Sequence, residues 1–349
     1  MSLSSLPSVL AQSIAHFLTT EERLGLARCS RQHRLLAQAP FAWLGADPLT
    51  IEFDGNNLSS SPLLRFIPVS LVWGRYVEAD SIPRTVCNVI AIADRIHLVA
   101  LQLCQLLDDA SLSQLLQPSS LKRLQSLTLW SHRRSLIELA CQLPLLTSLT
   151  LRCPLAEDEA ALLSTAPSLT DLTVSHPHPG CLSAVLHCPK LRRLTVYGFR
   201  WSDLRSFSQG LCVPQLRELS LTGSFDRRVS SRYVEVMDAA LSGLRSLLVL
   251  TLGASDLDPL LTHVHRIPTL RRLVIECRGW EENLHCSEAV MLSLLRSVPS
   301  LCVDWLVDQS IERSLHTIVA AFRVQLILIE GLSKSQSRLC VVRAATPRG

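Results

Sequence analysis

From residue 95 onward the apolar and polar positions of the chain recur in one short pattern, LxxLxL, with valine or isoleucine as variants. Leu98, Leu101 and Leu103 open the series, followed by Leu124, Leu127 and Leu129, and by Leu146, Leu149 and Leu151. It continues through Leu169, Leu172 and Val174, then Leu191, Leu194 and Val196, then Leu216, Leu219 and Leu221. Leu247, Leu250 and Leu252 come next, and Leu270, Leu273 and Ile275 close it. Successive first leucines stand 26, 22, 23, 22, 25, 31 and 23 residues apart. Those spacings define a repeat of one supersecondary unit, and the longer step between Leu216 and Leu247 predicts a protruding loop.

Alternation within each LxxLxL places its last two apolar residues on one face of a short strand. The stretches between, such as Glu159 to Ser164 and Cys181 to His187, suit a short return helix. Pro144, Pro167, Pro189, Pro214, Pro268 and Pro299 each stand one or two residues before the first leucine of a strand segment. Proline has no amide donor and cannot continue a helix interior, so it ends the helix and turns the chain into the next strand. One strand and helix cannot cover their own apolar face, so such units become stable only by stacking, with parallel strands lining a concave side. Leu49 to Phe53 and Val324 to Ile329 read as further strands, in degenerate or capping repeats.

Segments such as CPKLRRLTV at Cys188 to Val196 and VPQLRELSL at Val213 to Leu221 resemble the leucine-rich repeats of F-box proteins. The fold class this implies is α/β, a leucine-rich-repeat solenoid in the form of a right-handed α/β horseshoe. The division expected along the chain is a helical module over 1–44, a connecting segment with degenerate repeats over 45–94, the solenoid over 95–332 and a tail over 333–349.

Residues 3–44 follow a different period. Ser4 and Ser5 can cap free amides and Pro7 suits a first helical turn, after which Leu10, Ile14, Phe17 and Leu18 fall on one side. Thr19 and Glu22 form a capping-box pair for a second helix, and Ser30 can cap a third running toward Pro40. The whole run is similar to an F-box: Leu6, Pro7, Ile14, Phe17, Leu18, Leu26, Cys29, Arg31, Pro40 and Trp43 match that family in order, while His33 stands where many members carry tryptophan. The resemblance implies a small three-helix module that docks a Skp-family adaptor, and through it a cullin, by a surface around Leu6, Pro7, Val9, Leu10, Ile14, Leu18 and Leu26. A module of this size buries its own apolar surface poorly, which is a physical reason to expect a partner. The plainer alternative is a helical cap over the first repeat.

Composition narrows the function without naming it. The 349 residues are 48% hydrophobic but only 5% aromatic and 18% charged, an aliphatic content suited to repetitive packing. The net charge of +4 comes with basic pairs such as Lys122–Arg123, Arg133–Arg134 and Arg192–Arg193, broken by acids such as Glu157, Asp158 and Glu159, so nucleic acid is not the expected partner. Twelve cysteines occur without any CxxC pair and read as reduced core residues. The first residues lack a basic leader, and even Ile318 to Leu332 contains Arg323 and Gln325, so neither membrane span nor secretion is expected, and a cytoplasmic or nuclear location is.

Phosphate loops, nucleophile elbows and HExxH helices are absent from the sequence, so the expectation is a protein that is not an enzyme and uses no cofactor. His176, His178, Cys181, His187 and Cys188 have metal-like chemistry but no standard finger spacing, and no metal is expected there. The strand positions beside the core leucines form columns on the concave face. One is a hydroxyl ladder of Thr128, Thr150, Thr173, Thr195, Ser220 and Thr251, which suits stacked strands. Another holds Trp130, Arg152, Ser175, Tyr197, Thr222 and Glu276, and the preceding column adds Arg193, Glu218 and Arg272. Tryptophan, tyrosine and arginine dominate protein-binding hot spots, so Trp130, Arg152, Arg193 and Tyr197 are the expected substrate contacts. The reading favoured is a substrate-recognition adaptor of a Skp/cullin/F-box ubiquitin ligase. The alternative is a leucine-rich-repeat protein that regulates an enzyme by direct binding.

Overall fold

In all eight copies of LxxLxL the last two apolar residues lie in a β-strand. The computed structural model describes residues 49–53, 68–73, 97–103, 121–130, 134–200, 203–208, 215–223, 231–253, 258–276, 294, 300–305, 324–330 and 337–343. Leu6, Pro7, Val9, Leu10, Ile14, Leu18 and Leu26, and with them the expected three-helix module, lie outside the described residues. The described residues fall into two compact units: one runs up to Cys153 and includes Ala166–Leu169, and the other comprises Pro154–Thr165 and the residues from Thr170 on.

The first unit contains strands β1 (Leu49–Phe53), β2 (Pro68–Trp73), β3 (His97–Leu103), β4 (Ser126–Leu129) and β5 (Ser148–Leu151). They pair in chain order and all are parallel, with one register shift between Val69 and Ser70. Parallel neighbours need a crossover connection, and the helix Arg134–Gln142 supplies it between β4 and β5. Its buried residues Ile137, Ala140 and Cys141, with Leu143 beyond its end, follow helical spacing. Leu127, Leu129, Leu149 and Leu151 are at most 1% exposed, so the inward positions of both strands are core.

The second unit contains β6 (Asp171–Ser175), β7 (Arg193–Tyr197), β8 (Glu218–Thr222), β9 (Val249–Gly253), β10 (Arg272–Glu276), β11 (Ser300–Trp305), β12 (Val324–Glu330) and β13 (Ser337–Arg343). β6 to β11 are parallel in chain order, while β13 runs antiparallel between β11 and β12. The expected strand at Val324 to Ile329 is therefore present as β12. The segment read as a tail carries β13, because Leu339, Cys340, Val341 and Val342 form a short run rich in strand-forming residues and only its flanks are charged. Short helices at Glu157–Leu163, Cys181–Val185, Leu204–Ser208, Ser231–Gly243 and Asp258–Leu261 provide the return paths. The 31-residue step from Leu216 to Leu247 accommodates the thirteen-residue helix Ser231–Gly243, longer than its counterparts.

One turn recurs before the strands. The amide of the first repeat leucine donates to the residue three before it: Leu124 to Leu121, Leu146 to Leu143, Leu191 to Cys188, Leu247 to Leu244 and Leu270 to Ile267, at 2.9–3.4 Å. Pro144, Pro189 and Pro268 occupy the second position of that four-residue turn, where a fixed φ near −65° is already correct. The two ends of each turn are buried, so the turn closes the core while re-aiming the chain.

Candidate interaction surface

The side chains that alternate with the core leucines form columns in each unit, in the register expected. In the first unit Ser126 pairs with Ser148 and Thr128 with Thr150. Trp130 and Arg152 directly follow β4 and β5, and their amides extend the ladder by donating to Leu103 and Leu129, at 3.1 and 2.8 Å. They are thus a neighbouring pair one strand apart, and Trp130 is 37% exposed. Together they offer an aromatic face and a cation, which suits a peptide carrying apolar and acidic groups.

In the second unit the hydroxyl column is Thr173, Thr195, Ser220 and Thr251, each opposite the next. Arg193 and Tyr197 mark the two ends of β7, about 13 Å apart at ~3.3 Å per residue. Arg193 is flanked by carboxylates on both neighbouring strands: its Nε lies 2.9 Å from Asp171 Oδ1 and 3.5 Å from Glu218 Oε2. In this acid–base–acid row the guanidinium is offset by carboxylates on both sides, leaving the row with one net negative charge, so Arg193 has a structural role that the sequence reading did not assign. The signal was available, because Asp171, Arg193 and Glu218 occupy the same position in three consecutive repeats.

The third column departs from the expectation of uniform exposure. Ser175 is only 6% exposed, whereas Tyr197 in the next strand is half-buried. The hydroxyl of Thr222 is buried without a hydrogen-bond partner among the described residues, beside the buried Gly253. Just past the strand ends, His176 and Gly198 adopt left-handed backbone with φ of 48° and 70°. The imidazole of His176 lies over Gly198 so closely that a Cβ there would collide with the ring.

The residues of the histidine and cysteine cluster have local tasks, and the amide of His178 donates to the Leu155 carbonyl at 3.0 Å. Cys181 is fully buried, and its thiol donates to the Leu155 carbonyl at 2.9 Å. Burial pushes that thiol up to about 11, with the carboxylates of Glu157 and Glu159 adding to the effect and a backbone hydrogen bond opposing it. Cys188 is fully buried as the first residue of a proline turn. His187 Nδ1 lies 2.8 Å from the Ser183 carbonyl. No group of three or more metal-ligating side chains converges among the described residues. No helix among the described residues is long and apolar enough to cross a membrane. No family model and no curated protein matches the chain.

Proposed function

We propose that the protein is a substrate-recognition adaptor of a Skp/cullin/F-box ubiquitin ligase, built as an F-box module followed by a leucine-rich-repeat horseshoe. The observation that carries this reading is a conjunction: an ordered F-box-like series from Leu6 to Trp43 precedes repeats whose strands stack in chain order with their polar columns in register. A stack of parallel strands presents many side chains in fixed rows, which suits recognition of an extended protein segment. In this reading the adaptor docks on Leu6, Pro7, Val9, Leu10, Ile14, Leu18 and Leu26, and Trp130, Arg152 and Tyr197 contribute to substrate contact. Arg193 contributes less, because two carboxylates already engage it. The chemistry belongs to the partner subunits, and this chain supplies proximity and orientation.

Reconstitution with a Skp adaptor, a cullin and the ubiquitin-loading enzymes tests the reading. Proteins captured by the intact chain are expected to acquire ubiquitin, and a chain lacking residues 1–44 is expected to capture them without modification. Capture with no ubiquitin transfer in either case, accompanied by a change in a captured enzyme's activity, would instead support the enzyme-regulator alternative.

A further inference from the structure

In the second unit, the two residues between the first and second repeat leucines have opposite electrostatic surroundings. The second of them forms the row of Asp171, Arg193 and Glu218, in which carboxylates on both sides engage the arginine. The first of them forms a column of Thr170, Arg192, Arg217, Leu248 and Arg271 at the corner where each strand begins. These residues are stacked directly: Arg192 N donates to Thr170 O, Arg217 N to Arg192 O, Leu248 N to Arg217 O and Arg271 N to Leu248 O, at 2.7–2.9 Å. Adjacent members therefore stand about 4.8 Å apart, and Arg217 and Arg271 about twice that. Arg192, Arg217 and Arg271 are all exposed, and none has an ion pair or side-chain hydrogen bond among the described residues. Lys190 and Arg245, also exposed, sit in the preceding turns of the same unit.

Like charges opposed on neighbouring strands repel, and the adjacent row shows that this sheet can place acids between them. The corner column does not, so Arg192 and Arg217 stand opposed with nothing between them to offset their charge. We propose that this arginine column of the second unit, Arg192, Arg217 and Arg271, is a docking strip for an acidic or phosphorylated extended segment of a protein partner. A peptide laid across the strands would set carboxylates or phosphates against successive guanidinium forks, the side-chain geometry best suited to both groups. A protein segment fits better than single-stranded nucleic acid, because the column's other members are Thr170 at its end and Leu248 between Arg217 and Arg271, with no aromatic ring on which bases could stack.

The inference deepens the substrate-recognition reading and names the chemical class of what is gripped, but its test does not involve the ligase. The full chain is titrated into three fluorescent peptides of equal length: one with alternating glutamates, one with phosphoserines replacing half of them, and one with glutamines. The acidic peptides are expected to bind at least tenfold tighter than the glutamine peptide. Arg192→Glu/Arg217→Glu and Arg192→Glu/Arg217→Glu/Arg271→Glu are expected to abolish that preference, and the triple variant to bind a lysine-rich peptide instead. That gain shows that loss of acidic binding is not a loss of fold. Lys122→Gln, at an exposed position of the first unit, is expected to change affinity less than twofold. Undiminished acidic binding by the reversed variants would overturn the proposal. So would tighter binding of a charge-matched single-stranded oligonucleotide through the same arginines. Either failure leaves adaptor docking by residues 1–44 untouched, and peptide binding by a chain lacking those residues separates the two readings.

Discussion

Gly198 shows how one residue can be fixed twice. Its φ of 70° lies where an L side chain is strained, and the His176 ring occupies the space a Cβ would need. Gly198→Ala is expected to cost roughly 1–3 kcal/mol in urea unfolding, and His176→Gly in the same background to recover part of that loss by opening the space. A cost below about 0.5 kcal/mol would show that the turn relaxes freely. Cys181 makes a second residue-scale prediction. Its thiol has an unfolded reference near 9.0 and is pushed to about 11 in the fold, chiefly by burial. The folded state therefore holds its proton more tightly, and the resulting stabilisation is complete below about pH 9 and lost as pH rises through 11, a change on the order of 2 kcal/mol. Unfolding measured between pH 8 and 11 for the parent and for Cys181→Ala checks this, since the variant should have the shallower decline over that window. In the native protein Cys181 should also react with thiol reagents more slowly than the less buried Cys153.

At the scale of elements, the strands were the most legible part of the chain because LxxLxL imposes two constraints at once, alternation within the strand and recurrence between strands. Leu194 and Val196 are at most 1% exposed on β7, which pairs with β6 on one side and β8 on the other. Leu194→Ala is accordingly expected to destabilise the protein by about 2–5 kcal/mol, whereas Arg193→Gln one position earlier should stay within about 1 kcal/mol because its ion pairs are solvent-exposed. Equal effects of the two would contradict the assignment of faces. The proline turns were legible for a similar reason, since proline at the second turn position satisfies the backbone on its own. Other features depended on neighbours that no local pattern identifies. Val341 and Val342 carry strand propensity, but β13 lies outside the LxxLxL series and runs antiparallel to both β11 and β12, so the segment read as a tail. Arg192 and Arg193 are adjacent and chemically identical, and it is the shared repeat position of Asp171, Arg193 and Glu218, brought side by side by the register of β6, β7 and β8, that pairs one of them with carboxylates and not the other. Ser175, expected on the exposed face, is buried.

At the scale of the molecule, two stretches of sequence with different physics stand in one chain. The repeats are stabilised by stacking on one another, so their apolar residues are consumed internally, and under the proposed function their polar columns serve recognition. The sequence of residues 3–44 spaces its apolar residues as a helical stripe would, in a stretch too short to build a core of its own, and under the proposed function a foreign subunit burying roughly 1,600 Å² in total would complete it. The proposed function rests at this scale on the family resemblance alone, because an adaptor would perform no chemistry and leave no catalytic motif. The most direct measurement is titration of the purified full-length chain with a purified Skp-family adaptor, followed by calorimetry and size-exclusion chromatography. The account predicts a one-to-one complex that is lost on deleting residues 1–44 and weakened at least a hundredfold by Leu10→Asp/Ile14→Asp, with the unfolding of the repeat region unchanged. An intact chain that binds no adaptor, or binds it equally well in all three forms, would contradict it.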